Sequence, residues 1–501
     1  MMAAARHFAM TAKGEQRRSD IRHGEVHVAG PPPGINDGFS EEGLWWLPSN
    51  EEDKVAGTLT IDQQDGALLS LVGVLGNLED TFNDRTSDRR TIHGVTKKGR
   101  PVTLLNTFRK SSQLNFPGLA VETHFANVAA IGLHFDGVDQ DIFPESWVRF
   151  DGIERWLGHE PFEMVSNYET REITLNVRKS WIEQLAAFGG YAILSGSNLY
   201  TKKQGDTDYT VTVMSLLGVR SDVPRSLIWH LNAATRLQEL ASLCTGHYLP
   251  MLSFELRFPQ NDIEQAKVPP LEVHVYARMH HPHAGERPIH EIPLISAPEL
   301  LRLEPQSLER WFEHHETMSP AMNLFFTVTG ERKMFVNIRF LLAIQALEVF
   351  HRRTSEARVI AKEDFEQLRD NLLVAIPLNT PGPMREKLDG LYRFANEPSL
   401  MQRLRSVLKG IETDFGECPA GFGGGFARSL VDTRNYNTHF SVELKERSLD
   451  GEGMWWATRR IILLLSVLFL MRLGLKAENI REILSRHNEF DQLWQRIGRP
   501  N

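Results

Sequence analysis

The sequence predicts an α+β protein, with a β-rich N-terminal domain followed by an all-α bundle at the C-terminal end. Three observations carry this reading. Between residues 55 and 277, short runs rich in β-branched and aromatic residues are punctuated by Gly, Asn and Asp. After Gly330 the apolar positions recur instead at helical spacing, as at Phe340, Leu341, Ile344, Leu347 and Phe350. The chain is 41 % hydrophobic with a net charge of −8, which suits a folded protein and speaks against a polycation coating nucleic acid.

Taken in order, residues 1–40 read as a poorly ordered tail that mixes charges with Pro31, Pro32, Pro33 and Gly34. A β-rich domain is expected over 41–325. It opens with Trp45 and Trp46, an adjacent pair best read as core, and continues through strands near 55–62, 67–76, 102–108, 121–135, 171–177 and 209–217. A helix is expected over 224–243, with Pro224 near its first turn. Strands follow at 252–258 and 271–277, then a helix at 295–316 with Leu300, Leu308, Trp311 and Phe312 on its apolar face.

The helical domain is expected over 326–501. Helices are read at 335–353 and 363–373, and one or two more within 384–411. The glycine-rich loop at 421–425 lacks the Lys-Ser/Thr of a P-loop and reads as a flexible connector. Residues 451–453 read as a short break, 455–473 as an apolar helix and 477–486 as the last helix. These stripes fit a bundle of roughly five helices. The most apolar run, 461–473, is judged too short to span a bilayer and contains Arg472, so it is expected to be a buried core helix. Cys244 and Cys418 are far apart and no signal-peptide pattern opens the chain, so a reducing cytoplasm and no membrane are expected.

One stretch carries chemistry: residues 430–440, with Arg434, Asn435 and His439. Arg-x4-His spacing alone says little. It also occurs at Arg18/His23, Arg22/His27, Arg225/His230, Arg278/His283 and Arg310/His315. Arg434 alone among these is followed by Asn, and its copy alone lies between long helical segments near the C-terminus. Histidine titrates near neutrality and can serve as base or acid, while arginine forks onto phosphate oxygens. Residues i and i+5 of a regular helix point about 140° apart. Convergence is therefore expected if Arg434 sits at a helix start, capped by Asp432 or Thr433, where free N–H groups also favour phosphate. Asn435 would then orient the histidine or bond the phosphate.

In this setting the stretch resembles the Arg-Asn-x-x-x-His motif of HEPN ribonucleases. Together with residues 43–73, which hold Trp-Trp-x-Pro and a Gly-x-Leu strand, and with residues 340–353, it makes the chain resemble ApeA-type proteins of bacterial anti-phage defence. The resemblance implies an ApeA N-terminal domain, acting as sensor or targeting module, followed by an HEPN bundle. It implies RNA cleavage without metal or cofactor, leaving a 2',3'-cyclic phosphate and a 5'-hydroxyl, with two motif helices paired in a homodimer or higher homo-oligomer. It further implies abortive infection under a phage-derived trigger, with transfer RNA the natural substrate to expect. Arg434 and His439 become catalytic, Asn435 supports them, and Glu348 is a possible acidic helper. Two rivals stand beside this: a non-catalytic HEPN module for binding or dimerisation, and a metal-dependent hydrolase built on the histidine cluster at 280–290. That cluster lacks a four-ligand pattern, and no metal is expected there.

Overall fold

The computed structural model describes residues 26–27, 38–62, 66–76, 90–113, 117–178, 182–204, 208–258, 271–277, 292–331, 333–416, 422–423 and 425–495. The expected tail up to residue 37, apart from one two-residue strand, lies outside the described residues. So do the histidine cluster at 280–290, Cys418, Gly421 and Gly424, and the side chains of the Arg-x4-His pairs at 18/23, 22/27 and 278/283.

Strands β1 (Val26–His27), β2 (Phe39–Leu47), β3 (Asn50–Asp62), β4 (Gly66–Val72), β5 (Arg90–Thr96), β6 (Pro101–Gln113), β7 (Val121–Ile131) and β8 (Phe143–Phe150) come first. Helix α1 (Ile153–Leu157) precedes β9 (Phe162–Asn167), β10 (Glu172–Val177), β11 (Glu183–Phe188), β12 (Tyr191–Gln204) and β13 (Asp208–Arg225). Helix α2 (Leu227–Thr245), β14 (Met251–Phe258) and β15 (Leu271–Ala277) complete the β-rich region. Among the described residues thirteen strands form one sheet: twelve are ordered β1-β12-β13-β8-β14-β15-β7-β4-β3-β2-β5-β6, β11 pairs with β12 off this path, and β6 also pairs with β7. That last pairing closes a six-stranded barrel, β7-β4-β3-β2-β5-β6. Strand β7 is the joint between barrel and open sheet. Along one edge, Val121 to Ala126 pair with β4 and Val128 to Ile131 pair with β15, while β6 follows the other edge.

Trp45 fills the barrel with Leu59, Leu69, Ile92, Leu104 and Ile131, and Trp46 is buried beside it. Directly across the strand pair from Trp45 lies Gly94, and any Cβ there would overlap the indole ring. The glycine that hides β5 from a propensity reading is thus required by the tryptophan opposite. Strand β8 is masked for a related reason. Across β13, β8, β14 and β15, Arg220, Glu145, Arg257 and Glu272 face one another in register, alternating in sign. Arg220 Nε lies 2.6 Å from Glu145, Arg257 Nη2 lies 2.9 Å from Glu255, and the Trp147 indole N–H donates to Glu145. Charge fills the positions where a strand reading looks for apolar residues. The opposite face of this sheet, with Val148, Leu217, Val219 and Leu256, packs in one core with Leu237 and Leu240 of α2.

The helical part contains α3 (Ala297–Leu303), α4 (Ser307–Gly330), α5 (Val336–Thr354), α6 (Lys362–Val374), α7 (Gly382–Arg393) and α8 (Leu400–Phe415). It continues with α9 (Phe426–His439), a 3-10 helix (Val442–Arg447), α10 (Gly451–Arg472), α11 (Ala477–Ser485) and α12 (Asn488–Gln495). The single helix expected at 295–316 is two, because Pro305 disfavours helical backbone before it. Helix α4 runs through residues 325 and 326 and ties the two regions together. Its Trp311 indole donates to the Arg236 carbonyl of α2 at 2.8 Å, and its His315 lies 2.8 Å from Glu239.

The expected break at 451–453 is instead the first turn of α10, because the Asp450 carboxylate caps it by accepting from the Gly453 N–H at 2.7 Å. The resulting 22-residue helix is long and apolar enough to cross a bilayer by length and composition, so insufficient length does not argue against a span. Its burial does: 61 % of its most apolar window is covered, and Phe469 sits edge-on to both Phe325 of α4 and Phe350 of α5. One hairpin and two helices stand apart from this core. The β9–β10 hairpin gathers Phe162, Met164, Ile173 and Leu175 on one exposed face, and α6 and α7 bury no residue fully.

Gly94→Ala is expected to lower stability by about 1–3 kcal/mol, because the indole must shift within a closed barrel. Gly410→Ala, in open space on α8, should be neutral or stabilising by up to ~1 kcal/mol. Denaturant midpoints of the two variants check the contrast. His230 gives a pH prediction. Its ring is fully buried; Nε2–H donates to the Phe143 carbonyl and Nδ1 accepts from Ser146, both at 2.9 Å. Burial pushes its pKa down to about 4, against the Phe143 hydrogen bond and Glu145, which pull it up. The unfolded chain therefore binds a proton that the folded one does not, and stability falls as pH drops from ~6.5 towards 4. That slope should be reduced in His230→Gln, measured by melting at successive pH values.

Candidate active site

Helix α9 is longer than the motif suggests. Phe426, Ala427, Leu430 and Thr433 form a buried stripe, and Phe426 meets the buried Phe422 ring edge-on at 5.2 Å. This apolar stripe draws the helix start back to Phe426, with Gly425 at the N-cap. Asp432 and Thr433 are therefore buried interior residues, not caps, and Arg434 lies past mid-helix. The expectation of a phosphate-binding helix start at Arg434 is overturned. His439 is the last helical residue, at the carbonyl end, which attracts cations and not phosphate. Positive charge for a phosphate must come from the arginine.

Asn435 links the arginine to the face that carries the histidine. Asn435 and His439 are four residues apart and so share one face. Arg434 points away from that face, but its Nη1 donates to Asn435 Oδ1 at 3.1 Å. The amide thus holds the guanidinium against Asn435, the residue one helical turn before the imidazole. The two other described Arg-x4-His pairs place their histidines in structural bonds, His230 in the core and His315 on Glu239. His439 is exposed, and Arg434 and Asn435 are half-buried.

The end of α9 is held from one side. Thr433 is fully buried, and its hydroxyl accepts the Leu449 N–H at 2.9 Å. Asn437 donates to the Thr433 carbonyl at 2.9 Å and to Met454 Sδ at 3.7 Å, reaching the first turn of α10. After His439 the chain reverses through Phe440, a left-handed residue with φ of 52° and an exposed ring. A non-glycine residue in that region costs about 1–2 kcal/mol, which the 3-10 helix folded back onto α9 must hold in place. Thr433 entered the sequence reading only as a cap candidate, and Asn437 was not singled out there.

Glu348 belongs to a separate polar chain. Its carboxylate lies 3.3 Å from Arg352, which reaches Glu397 at 2.6 Å; Arg403 bonds Glu397 at 3.1 Å and meets His351 at 3.5 Å. Burial, then the Arg403 guanidinium, holds the His351 pKa below its ordinary value. This chain pins α5 to the start of α8. Among the described residues, no hydrogen bond or ion pair joins Glu348 to Arg434 or His439.

Fold and site together define a barrel-and-sheet region carrying a helical bundle, with an Arg-Asn-x-x-x-His helix end at the bundle surface. A family model for ApeA N-terminal domain 1 matches residues 40–296, just over half the chain, and one for Apea-like HEPN matches residues 341–479. The chain belongs to the ApeA family, and these matches support an HEPN nuclease of anti-phage defence. No curated protein and no solved structure matches it.

Thr433→Val keeps the shape of the buried side chain but strands the Leu449 N–H. A loss of about 1–3 kcal/mol is expected, with faster hydrogen exchange at the Leu449 amide than in wild type.

Proposed function

We propose that this chain is a metal-independent HEPN endoribonuclease that acts in the cytoplasm during anti-phage defence, stopping growth by cutting host RNA when a phage-derived trigger appears. The observation that carries the reading is the exposed His439 one turn beyond a half-buried Asn435 that holds Arg434, inside an Apea-like HEPN domain. In the proposed reaction the 2'-oxygen bonds to phosphorus and the bond from phosphorus to the 5'-oxygen breaks. The 2'-hydroxyl gives up its proton and the leaving 5'-oxygen receives one. Arg434 carries the charge that builds on the phosphorane oxygens, and His439 moves a proton. The step needs both a base and an acid, whereas this face carries one histidine. A second copy of the chain is therefore proposed to supply the other. Transfer RNA is the proposed substrate, since its loss halts translation.

The test incubates wild type and His439→Ala with total bacterial RNA in EDTA and maps the ends. Wild type should leave 2',3'-cyclic phosphate and 5'-hydroxyl ends, with a loss of about 10²-fold or more in His439→Ala. Equal cleavage by both proteins, or cleavage abolished by EDTA, would overturn the proposal. If neither cuts, even in phage-infected extract, the non-catalytic HEPN module is the better reading. Arg434→Lys should not rescue, because an ammonium cannot reproduce the fork that bonds both Asn435 and phosphate. Asn435→Ala should lower kcat/KM by about tenfold, less than loss of the histidine, because Arg434 remains but is no longer held. Asn435→Asp should be worse, since its carboxylate would pair with Arg434 and repel phosphate.

A further inference from the structure

The N-terminal half of α10 presents what its C-terminal half hides. Trp455 and Trp456 are 43 % and 42 % exposed and meet edge to face at 4.6 Å with an interplanar angle of 82°. Arg459, one turn further on, lies over the Trp455 ring at 4.8 Å. The neighbouring Arg460 lies over Phe426 of α9 at 5.6 Å, so side chains of α10 reach the start of α9 as well as its end. At the other end of that contact, Met454 takes the Asn437 hydrogen bond, two residues before His439. The tryptophans therefore follow directly on the residue that anchors the end of the motif helix.

Rings this large are seldom left at a surface without use. The chemistry of the patch selects its occupant. An aliphatic face would fit another protein, but an indole bearing a guanidinium offers an aromatic surface for a base and a positive charge near the phosphate next to it. Burial depresses the pKa of Arg459, consistent with a cation already partly stripped of water, which costs less to bring against a ligand.

We propose that Trp455, with Arg459 stacked on it, seats an unstacked nucleobase of the RNA and so positions the neighbouring phosphate at Arg434 and His439. The inference rests on the ribonuclease reading and deepens it: the substrate must offer a base free of its stack, as a single strand or loop does and a duplex does not. Trp455 and Arg459 act here as positioning residues.

The experiment uses full-length wild type, Trp455→Ala, Trp455→Phe and Arg459→Ala. Binding is read by anisotropy with a labelled 2'-O-methyl oligoribonucleotide, which cannot be cut, single-stranded or annealed to its complement. Cleavage of unmodified RNA gives KM and kcat, and light scattering gives the particle mass. Trp455→Ala should weaken single-strand binding by about tenfold and raise KM more than it lowers kcat; Trp455→Phe should recover most of the loss; duplex should bind poorly throughout. Unchanged binding in Trp455→Ala overturns the proposal. So does a smaller particle, which would make the patch a contact between protomers, or equal affinity for duplex. If wild type binds the single strand through Trp455 but cuts no RNA, the base seat stands and the nuclease reading fails.

Discussion

Helix α10 is the constraint on which the bundle and its site depend. Its C-terminal half is buried between α4 and α5 through Phe469 and its neighbours, so its position is set by packing that tolerates little movement. The same rigid helix emerges at its N-terminal half and takes hold of α9 through Met454, while Leu449, just before the Asp450 cap, takes hold through Thr433. The end of the motif helix is thereby tied to the hydrophobic core by two polar contacts, one of 2.9 Å to an oxygen and one of 3.7 Å to a sulfur. The strained Phe440 backbone beside His439 sits at the end of that tie.

In the β-rich region, large rings are matched to missing side chains, and buried charge to opposite charge. Trp45 lies on Gly94, and Trp147 lies across Gly218, where a Cβ would come within 2.9 Å of its ring. In the row from Arg220 to Glu272, the buried Glu145 carboxylate faces a guanidinium on each neighbouring strand, Arg220 and Arg257. Removing one member would leave its partner uncompensated, so the row fixes strand register more than it adds net stability.

Around the motif the arrangement is different. The interior end of α9 is apolar and fixed, whereas Asn435 and His439 are turned outward. Two of the three described Arg-x4-His pairs have their histidines absorbed into hydrogen bonds of the fold. The third keeps its imidazole at the surface, with its arginine bonded to the amide one turn before it. Spacing is common to all three; surroundings separate a histidine absorbed into the fold from one left at the surface.

The sequence alone determined the class of the two halves, the helical stripes of the bundle and the family, because periodicity and short motifs are local properties. It also singled out Arg434, Asn435 and His439 as a group. Tertiary structure decided where on its helix that group lies. A buried stripe at Phe426 and Leu430 outweighed the capping preference of Asp432 and Thr433, since burial of several side chains exceeds one cap in free energy. The same holds for β5 and β8, whose glycine and charges become strand residues only through Trp45 and the arginines across the sheet. Closure of the barrel at β7, the tie from Thr433 to Leu449 and the place of Trp455 beside the motif join residues distant in sequence, and such contacts leave no periodic trace in the chain.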